Sequence, residues 1–475
     1  MTETSELLAR TATLATGYLE SVQHRPVAAP VDLAALRAAL GGPLPESPGD
    51  PREVVEGLAS AADPGLVGTA GPRFFGFVVG GSLPAALAAD WLASAWDQNA
   101  AMYVMSPAAA VAEEVAAAWL VELLALPPET SVGFVTGATM ANFTALAAAR
   151  HGVLAAAGWD VERLGLQGAP PVTVITHEGT HVTVYASLQM LGLGREGERV
   201  LRIAADDQGR MRADALREAL ATVVGPVIVC CQAGNVNTGA FDPLDELVPI
   251  ARERGAWVHV DGAFGIWAAA VPALKQRMRG HDQADSWSTD AHKWLNVPYD
   301  SGLVFVRDKA VHHAAMTLGA QYYVETAGGE RDNYNWVPES SRRARGFAVL
   351  AALRSLGRAG LVDLIERDCA LARRMADRLR VGPRTRILND VVLNQVLVRF
   401  DATGDDLDGT SGDARTREVI AAVQRDGTCW LGGTTWAGRA AMRVSISGWR
   451  TTEEDIDRSA AAILACLAGV DGVKG

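Results

Sequence analysis

The sequence predicts an α/β fold: a large, mainly parallel sheet domain followed by a small C-terminal α+β domain. Three observations lead there. Short apolar runs bounded by turn residues ("SVGFVTG", "PVTVITH", "PVIVCCQAG", "AWVHVDGAFG", "GLVFVRDK") alternate with helical stretches, the pattern of strands covered on both faces. At "PESSRRARGFAVLAALRSLGRAGL" the rhythm changes to one long helix. After it, "ILNDVVLNQVLVRF", "AMRVSISGW" and "DIDRSAAAILACLAG" mix strand and helix periods over a shorter span.

In chain order, residues 1–105 form an N-terminal helical segment. "SELLARTATLATGYLESV" and "VDLAALRAALG" carry helical periodicity, "GGPLPESPGDP" breaks it, and Ala-rich helix dominates from Pro72 to Pro127 apart from the turn "FVVGGSLP". Residues 106–340 make the large α/β domain and residues 341–475 the small one. The stretch "DATGDDLDGTSGDART" is polar and acidic and reads as a mobile loop.

Composition narrows the function classes. Of 475 residues, 49% are hydrophobic and 21% charged, so a sizeable core forms and global disorder is excluded. The net charge of −12 lacks the basic footprint of a nucleic-acid binder or a polybasic membrane surface. The start, "MTETSELLARTATLATGYLE", has no secretory pattern, and no apolar stretch is long and uninterrupted enough to span a bilayer. Cys230, Cys231, Cys369, Cys429 and Cys466 form no CxxC pair and suit a reducing compartment. The expectation is a cytoplasmic protein with no metal site.

Ligands of open α/β sheets bind beyond the carboxyl ends of the strands, so the residues there are the candidates. "SVGFV" ends in "TGATMAN" and a helical run. Gly137, Ala138 and Thr139 would offer backbone N–H groups and a hydroxyl to a phosphate, although plain helix caps look alike. "PVTVIT" ends at His177 and His181, one of which could lie flat on an aromatic ligand. "AWVHV" ends in Asp261, followed by Gly262 and Ala263, small enough to admit a flat ring; a turn aspartate is the simpler reading of that pair alone. Next comes "STDAHKWLNVP", with Asp290, His292 and Lys293. A phosphate cradle, a flat stacker, a buried acid and a lysine, in this order and each at the end of a βα unit, describe the needs of pyridoxal 5′-phosphate.

These segments resemble the group II pyridoxal-phosphate-dependent amino-acid decarboxylases, the family of aromatic-L-amino-acid and glutamate decarboxylases. "PRFFGFVVGGSLPAALAADWLASA", "GFVTGATMANFTAL", "THVTVYASLQMLG", "AGNVNTGAFDPL", "VHVDGAFG", "DAHKWLNVPYDSG" and "AMRVSISGWRTTEEDID" carry the likeness, from about Pro72 to the C-terminus. The resemblance implies the aspartate-aminotransferase-like fold (fold type I) and a homodimer embraced by the N-terminal segment. It implies that Lys293 forms the Schiff base, Asp261 pairs with the pyridinium, His181 stacks on the ring and Ala263 packs on its other face. Ala138, Thr139 and His292 would contact the phosphate, with Asp290 beside them. Two departures stand out: Met140 replaces an acid of the phosphate loop, and Gly234–Asn235–Val236 replaces G-T-T, so that Asn235 would serve the ring hydroxyl side.

The implied reaction converts an L-amino acid to its amine and CO2. The family's proton donor is a Tyr on the loop "LGAQYYVETAGGERDNYNW", here Tyr322, with Tyr323 second. Relatives that make aldehydes by oxidative decarboxylation–deamination carry Phe there. Transamination is the other alternative, for which Arg443 would hold the substrate carboxylate. Phe75, Phe77, Tyr103 and Met105 lie in segments that line the family's side-chain pocket and favour an aromatic or bulky apolar substrate. Arg342–Arg343 reads as structural.

Overall fold

The computed structural model describes residues 2–28, 31–317, 330–402 and 410–472. They form two compact units, one of Gly80–Arg373 with Leu388–Val396, the other of Met1–Val79, Arg374–Ile387 and Leu397–Gly475.

The first unit is built on seven strands: β1 (Ser131–Val135), β2 (Thr173–His177), β3 (Val200–Ile203), β4 (Val227–Gln232), β5 (Trp257–Asp261), β6 (Ser286–Asp290) and β7 (Gly302–Val306). Their order is β1-β7-β6-β5-β4-β2-β3. Only β7 runs against its neighbours, so the sheet is mainly parallel, as the apolar runs predict. Helix Ala138–Ala156 lies across it. Its alanines keep the backbone close: Ala141, Ala145 and Ala148 pack on Val135, Val304 and Val306, and Leu146, Ala149 and Leu154 join Val174 and Ile228.

Two strands do not follow from apolar runs. β3 is short and partly exposed. β6 reads "SWSTD", yet all five residues are buried, because hydrogen bonds satisfy the hydroxyls: Ser286 Oγ accepts from Trp257 Nε1 at 2.9 Å and Thr289 Oγ1 donates to the Ala263 carbonyl at 3.3 Å. This corrects one expectation. Lys293 does not close a βα unit; it lies on the loop between β6 and antiparallel β7. Glycine makes the crossing possible, since a Cβ on Gly302 would stand 2.4 Å from Gly137 Cα.

In the second unit, β8 (Thr385–Ile387), β9 (Gln395–Phe400), β10 (Gly432–Trp436) and β11 (Arg439–Ser445) form a sheet in the order β10-β11-β9-β8, with helices Thr410–Asp426 and Glu453–Gly472. The N-terminal chain joins these elements. Phe75 N–H donates to the Trp430 carbonyl at 2.7 Å, and Arg73 pairs with Asp455 at 3.0 Å.

Burial of polar groups has a consequence for stability. His312, fully buried and 2.8 Å from Ser131 Oγ, is pushed down to about 3 by loss of solvent, and His259 down to about 4. Both fold neutral, whereas the unfolded chain takes up their protons near 6.5. Their contribution to stability is therefore lost as pH falls from about 6.5 toward 4. Burial pushes Asp242 and Asp368 upward, which opposes this loss, so the diagnostic is a difference. The drop in urea midpoint between pH 7 and pH 5 is expected to be smaller in His312→Gln than in the wild type; equal drops would refute the assignment.

Candidate active site

A cavity of about 300 Å³ opens at the carboxyl end of the sheet, lined by Gly137, Ala138, Thr139, Met140, His181, Thr183, Ala263, Asp290, His292 and Lys293. A larger cleft of about 870 Å³, lined among others by Asp206, Arg210, Asp214 and Asp390, contains none of the predicted site residues. The chemistry collects in the smaller one.

Helix Ala138–Ala156 begins there with Gly137 as its N-cap and no side chain capping it. The free N–H groups of a first helical turn need outside acceptors. One is taken: Asp290 Oδ1 accepts from Ala138 N–H at 2.5 Å. The same carboxylate lies 3.2 Å from His292 Nε2 and 2.9 Å from Lys293 Nζ. His292 Nδ1 accepts from Ser301 N–H at 3.2 Å, which leaves the Nε2 proton for Asp290. Burial holds the His292 pKa below its ordinary value, with Asp290 opposing.

Lys293 is 20% exposed at its side chain, with Nζ 6.0 Å from the centre of the Phe264 ring. The surrounding backbone is pinned. Its carbonyl accepts from both Asn296 N and Nδ2 at 3.2 Å, and Trp294 Nε1 donates to buried Asp368 at 2.8 Å. A Cβ on Gly80 would meet the Lys293 carbonyl at 2.0 Å, so only glycine lets that segment pass.

His181 caps helix Val182–Met190 and its Nδ1 lies 2.8 Å from Thr183 Oγ1. His177, by contrast, belongs to the core: its Nδ1 accepts from Gly179 N–H and its Nε2 lies 3.4 Å from Asp242. Asp261 ends β5 only 3% exposed, with Oδ1 accepting from Ala263 N–H at 3.1 Å and Oδ2 lying 3.4 Å from Asn142 Nδ2.

Neither Asp261 nor Asn235 is among the residues that line the cavity. Asn235 Oδ1 accepts from the N–H groups of Asn237 and Thr238, and its Nδ2 donates to Gln232 Oε1 and the Gly179 carbonyl, so the amide holds a turn and does not line the cavity. Tyr322 and Tyr323 lie outside the described residues. Arg443 sits partly buried on β11. Phe75 is core, whereas Phe77 is 64% exposed at a φ of 54° and stacks on Trp430 at 5.8 Å. Arg342 is structural: fully buried, it pairs with Glu113 at 2.9 Å and donates to the Ala100 and Phe134 carbonyls.

Residues 35–401 match the sequence profile of the pyridoxal-dependent decarboxylase conserved domain. The chain belongs to that family. An L-2,4-diaminobutyrate decarboxylase of Rhizobium meliloti (strain 1021) is 31% identical over 80% of this chain and 74% of its own. Tryptophan decarboxylase 1 of Oryza sativa subsp. japonica is 28% identical over 93% and 89%. The crystal structure of Oryza sativa TDC with PLP and tryptamine superposes with a TM-score of 0.90 at 24% identity, covering 98% of each chain, which establishes the fold. The protein is thus an amino-acid decarboxylase that uses pyridoxal 5′-phosphate, on the expected fold. The residues at hand suit that cofactor: a helix end whose N-cap, Gly137, supplies no side chain of its own, a lysine held beside it, and a buried carboxylate at the neighbouring strand end. Among the described residues, no helix is long and apolar enough to cross a membrane.

Sequence reasoning missed Asn142, which bonds Asp261, and Thr183, His259 and Ser288, which bond Asn142. A signal existed: "VHVD" puts His259 and Asp261 two apart, on one face of a strand.

Proposed function

We propose that the decarboxylase removes CO2 from an aromatic or bulky apolar L-amino acid and releases the amine. The observation that carries this reading is the convergence of Lys293, His181, Ala263 and the Gly137–Thr139 turn on one cavity. Bound pyridoxal phosphate supplies a conjugated, protonated ring that accepts the electron pair left at Cα when CO2 departs. Lys293 would offer the amine that holds its aldehyde carbon. Asp261 would keep the proton on the ring nitrogen, and His181 and Ala263, which line the cavity, would flank the ring. Ala138, Thr139 and His292 would hold the phosphate once Ala138 N–H and His292 Nε2 exchange Asp290 for it. Tyr322, by its position in the sequence, delivers the proton to Cα.

Charge argues for an uncharged substrate side chain. Among the described cavity residues the one carboxylate is Asp290, whose oxygens already face Ala138, His292 and Lys293, so a second ammonium on the substrate lacks a partner there. Among the described cavity residues Lys293 is the one permanent cation, and the chemistry requires it. A homodimer accords with Trp91, Trp96 and Val104, large apolar side chains exposed along one stretch of sequence; sedimentation at micromolar concentration tests it.

Mass spectrometry of products from a pool of L-amino acids tests the reaction. One amine, lighter than its aromatic parent by CO2, is expected; a keto acid, or an amine from a diamino acid only, would overturn the assignment. In the same assay Tyr322→Phe is expected to lower amine output about a hundredfold and to give in its place aldehyde and ammonia, with dissolved dioxygen as the oxidant, since a general acid contributes on the order of 10²–10⁴. Unchanged amine output would move the role to Tyr323.

A further inference from the structure

Beneath Asp261 the sheet carries a polar ladder. Trp257, His259 and Asp261 alternate onto one face of β5, and the register sets His259 beside Ser286 and Asp261 beside Ser288 on β6. Helix Ala138–Ala156 covers this face and inserts Asn142, which has no exposed surface. Its Oδ1 lies 2.5 Å from Ser288 Oγ and 3.0 Å from His259 Nε2. Its Nδ2 lies 3.4 Å from Asp261 Oδ2 and 3.3 Å from Thr183 Oγ1.

Chemistry decides which way the amide faces. An ionised Asp261 accepts only, so the NH2 group must be on its side and Oδ1 on the other. His259 must then carry its proton on Nε2, facing Oδ1. Its Nδ1, left as an acceptor, sits 3.0 Å from Ser286 Oγ, which itself accepts from Trp257 Nε1 at 2.9 Å. The hydrogen bonds therefore run one way, from Trp257 through Ser286, His259 and Asn142 to Asp261, with Ser288 donating to the same amide oxygen. A buried imidazole held neutral is consistent with that polarity. The second N–H of the amide reaches Thr183, whose hydroxyl is 2.8 Å from His181 Nδ1.

We propose that Asn142 is a positioning residue that aims Asp261 at the cofactor's ring nitrogen and, through Thr183, ties that carboxylate to the ring-covering His181. This rests on the reading that Asp261 faces that nitrogen. Without the amide, Oδ2 loses its anchor and the carboxylate turns on the single remaining bond from Ala263. The hold on the ring proton then slackens, and the cofactor binds less tightly.

The test uses holoenzyme of the wild type, Asn142→Ala, Ser288→Ala and Asp261→Asn, with two readouts besides turnover. One is the dissociation constant for pyridoxal 5′-phosphate added back to dialysed protein. The other is the pH midpoint of the bound cofactor's visible absorption, which a purely structural role leaves unmoved. Asn142→Ala is expected to raise the dissociation constant about tenfold and to shift the midpoint by about half a pH unit, as befits one hydrogen bond to a charged group. Ser288→Ala, which only loosens the amide, shifts both in the same direction by roughly a third as much. Should Asn142→Ala fail to fold, Ser288→Ala decides. If Asp261→Asn moves the midpoint and neither of the other two does, the positioning role is wrong and the reading of Asp261 stands. If Asp261→Asn leaves it unmoved as well, that reading falls and takes the positioning role with it.

Discussion

Lys293→Ala leaves a folded protein that neither retains pyridoxal phosphate covalently nor releases product, with turnover lower by at least about a thousandfold. The side chain is part-exposed at the cavity, so its removal empties no core position, and buried Asp290 keeps Ala138 N–H and His292 as partners. A second variant separates charge from nucleophile. Lys293→Arg keeps a cation beside Asp290, but its guanidinium stays protonated and does not attack a carbonyl carbon. Intact mass after borohydride reduction reads the outcome: the wild type gains the mass of the cofactor, and both variants stay at the mass of the bare chain. Retained cofactor mass or turnover in Lys293→Arg would show that the lysine acts as a charge alone.

The next largest effect belongs to Asp261. A nearby anion within a few ångströms favours the charged form of its partner, and the ring nitrogen must stay protonated for the ring to take up electrons. Asp261→Asn keeps the shape and still accepts from Ala263 N–H, yet supplies no negative charge. The expected result is a fall in kcat of about a thousandfold, with covalently attached cofactor still present because Lys293 is untouched. KM changes far less, since the missing interaction acts on the reaction step more than on substrate binding. Asp261→Glu should recover part of the loss, limited by the longer side chain in a buried pocket. A kcat within tenfold of the wild type in Asp261→Asn would remove the carboxylate from the chemistry.

Much of the site is local in sequence. The turn at Gly137–Thr139, Asp261 with Ala263, and Asp290 with His292 and Lys293 each end a strand, and a parallel sheet gathers strand ends on one edge. The mainly parallel sheet and the family could therefore be read from apolar runs and short motifs, whereas the strand order and the polar strand β6 could not. Residues that act across elements were not legible. Asn142 looks like one polar residue in an Ala-rich helix, and its meaning depends on which face of β5 and β6 the helix covers. Asn235 looked like a ligand contact because of its position after β4, yet a turn satisfies its amide within the chain.

By itself, then, the sequence determined the α/β class and the cofactor and named candidates to touch it, because hydrophobic periodicity and strand-end motifs are properties of neighbouring residues. Tertiary structure decided that Lys293 lies on a β6–β7 loop, that His177 belongs to the core, and that a buried amide holds Asp261. Those outcomes depend on strand register and helix placement, which bring together hydrogen-bonding groups more than a hundred residues apart.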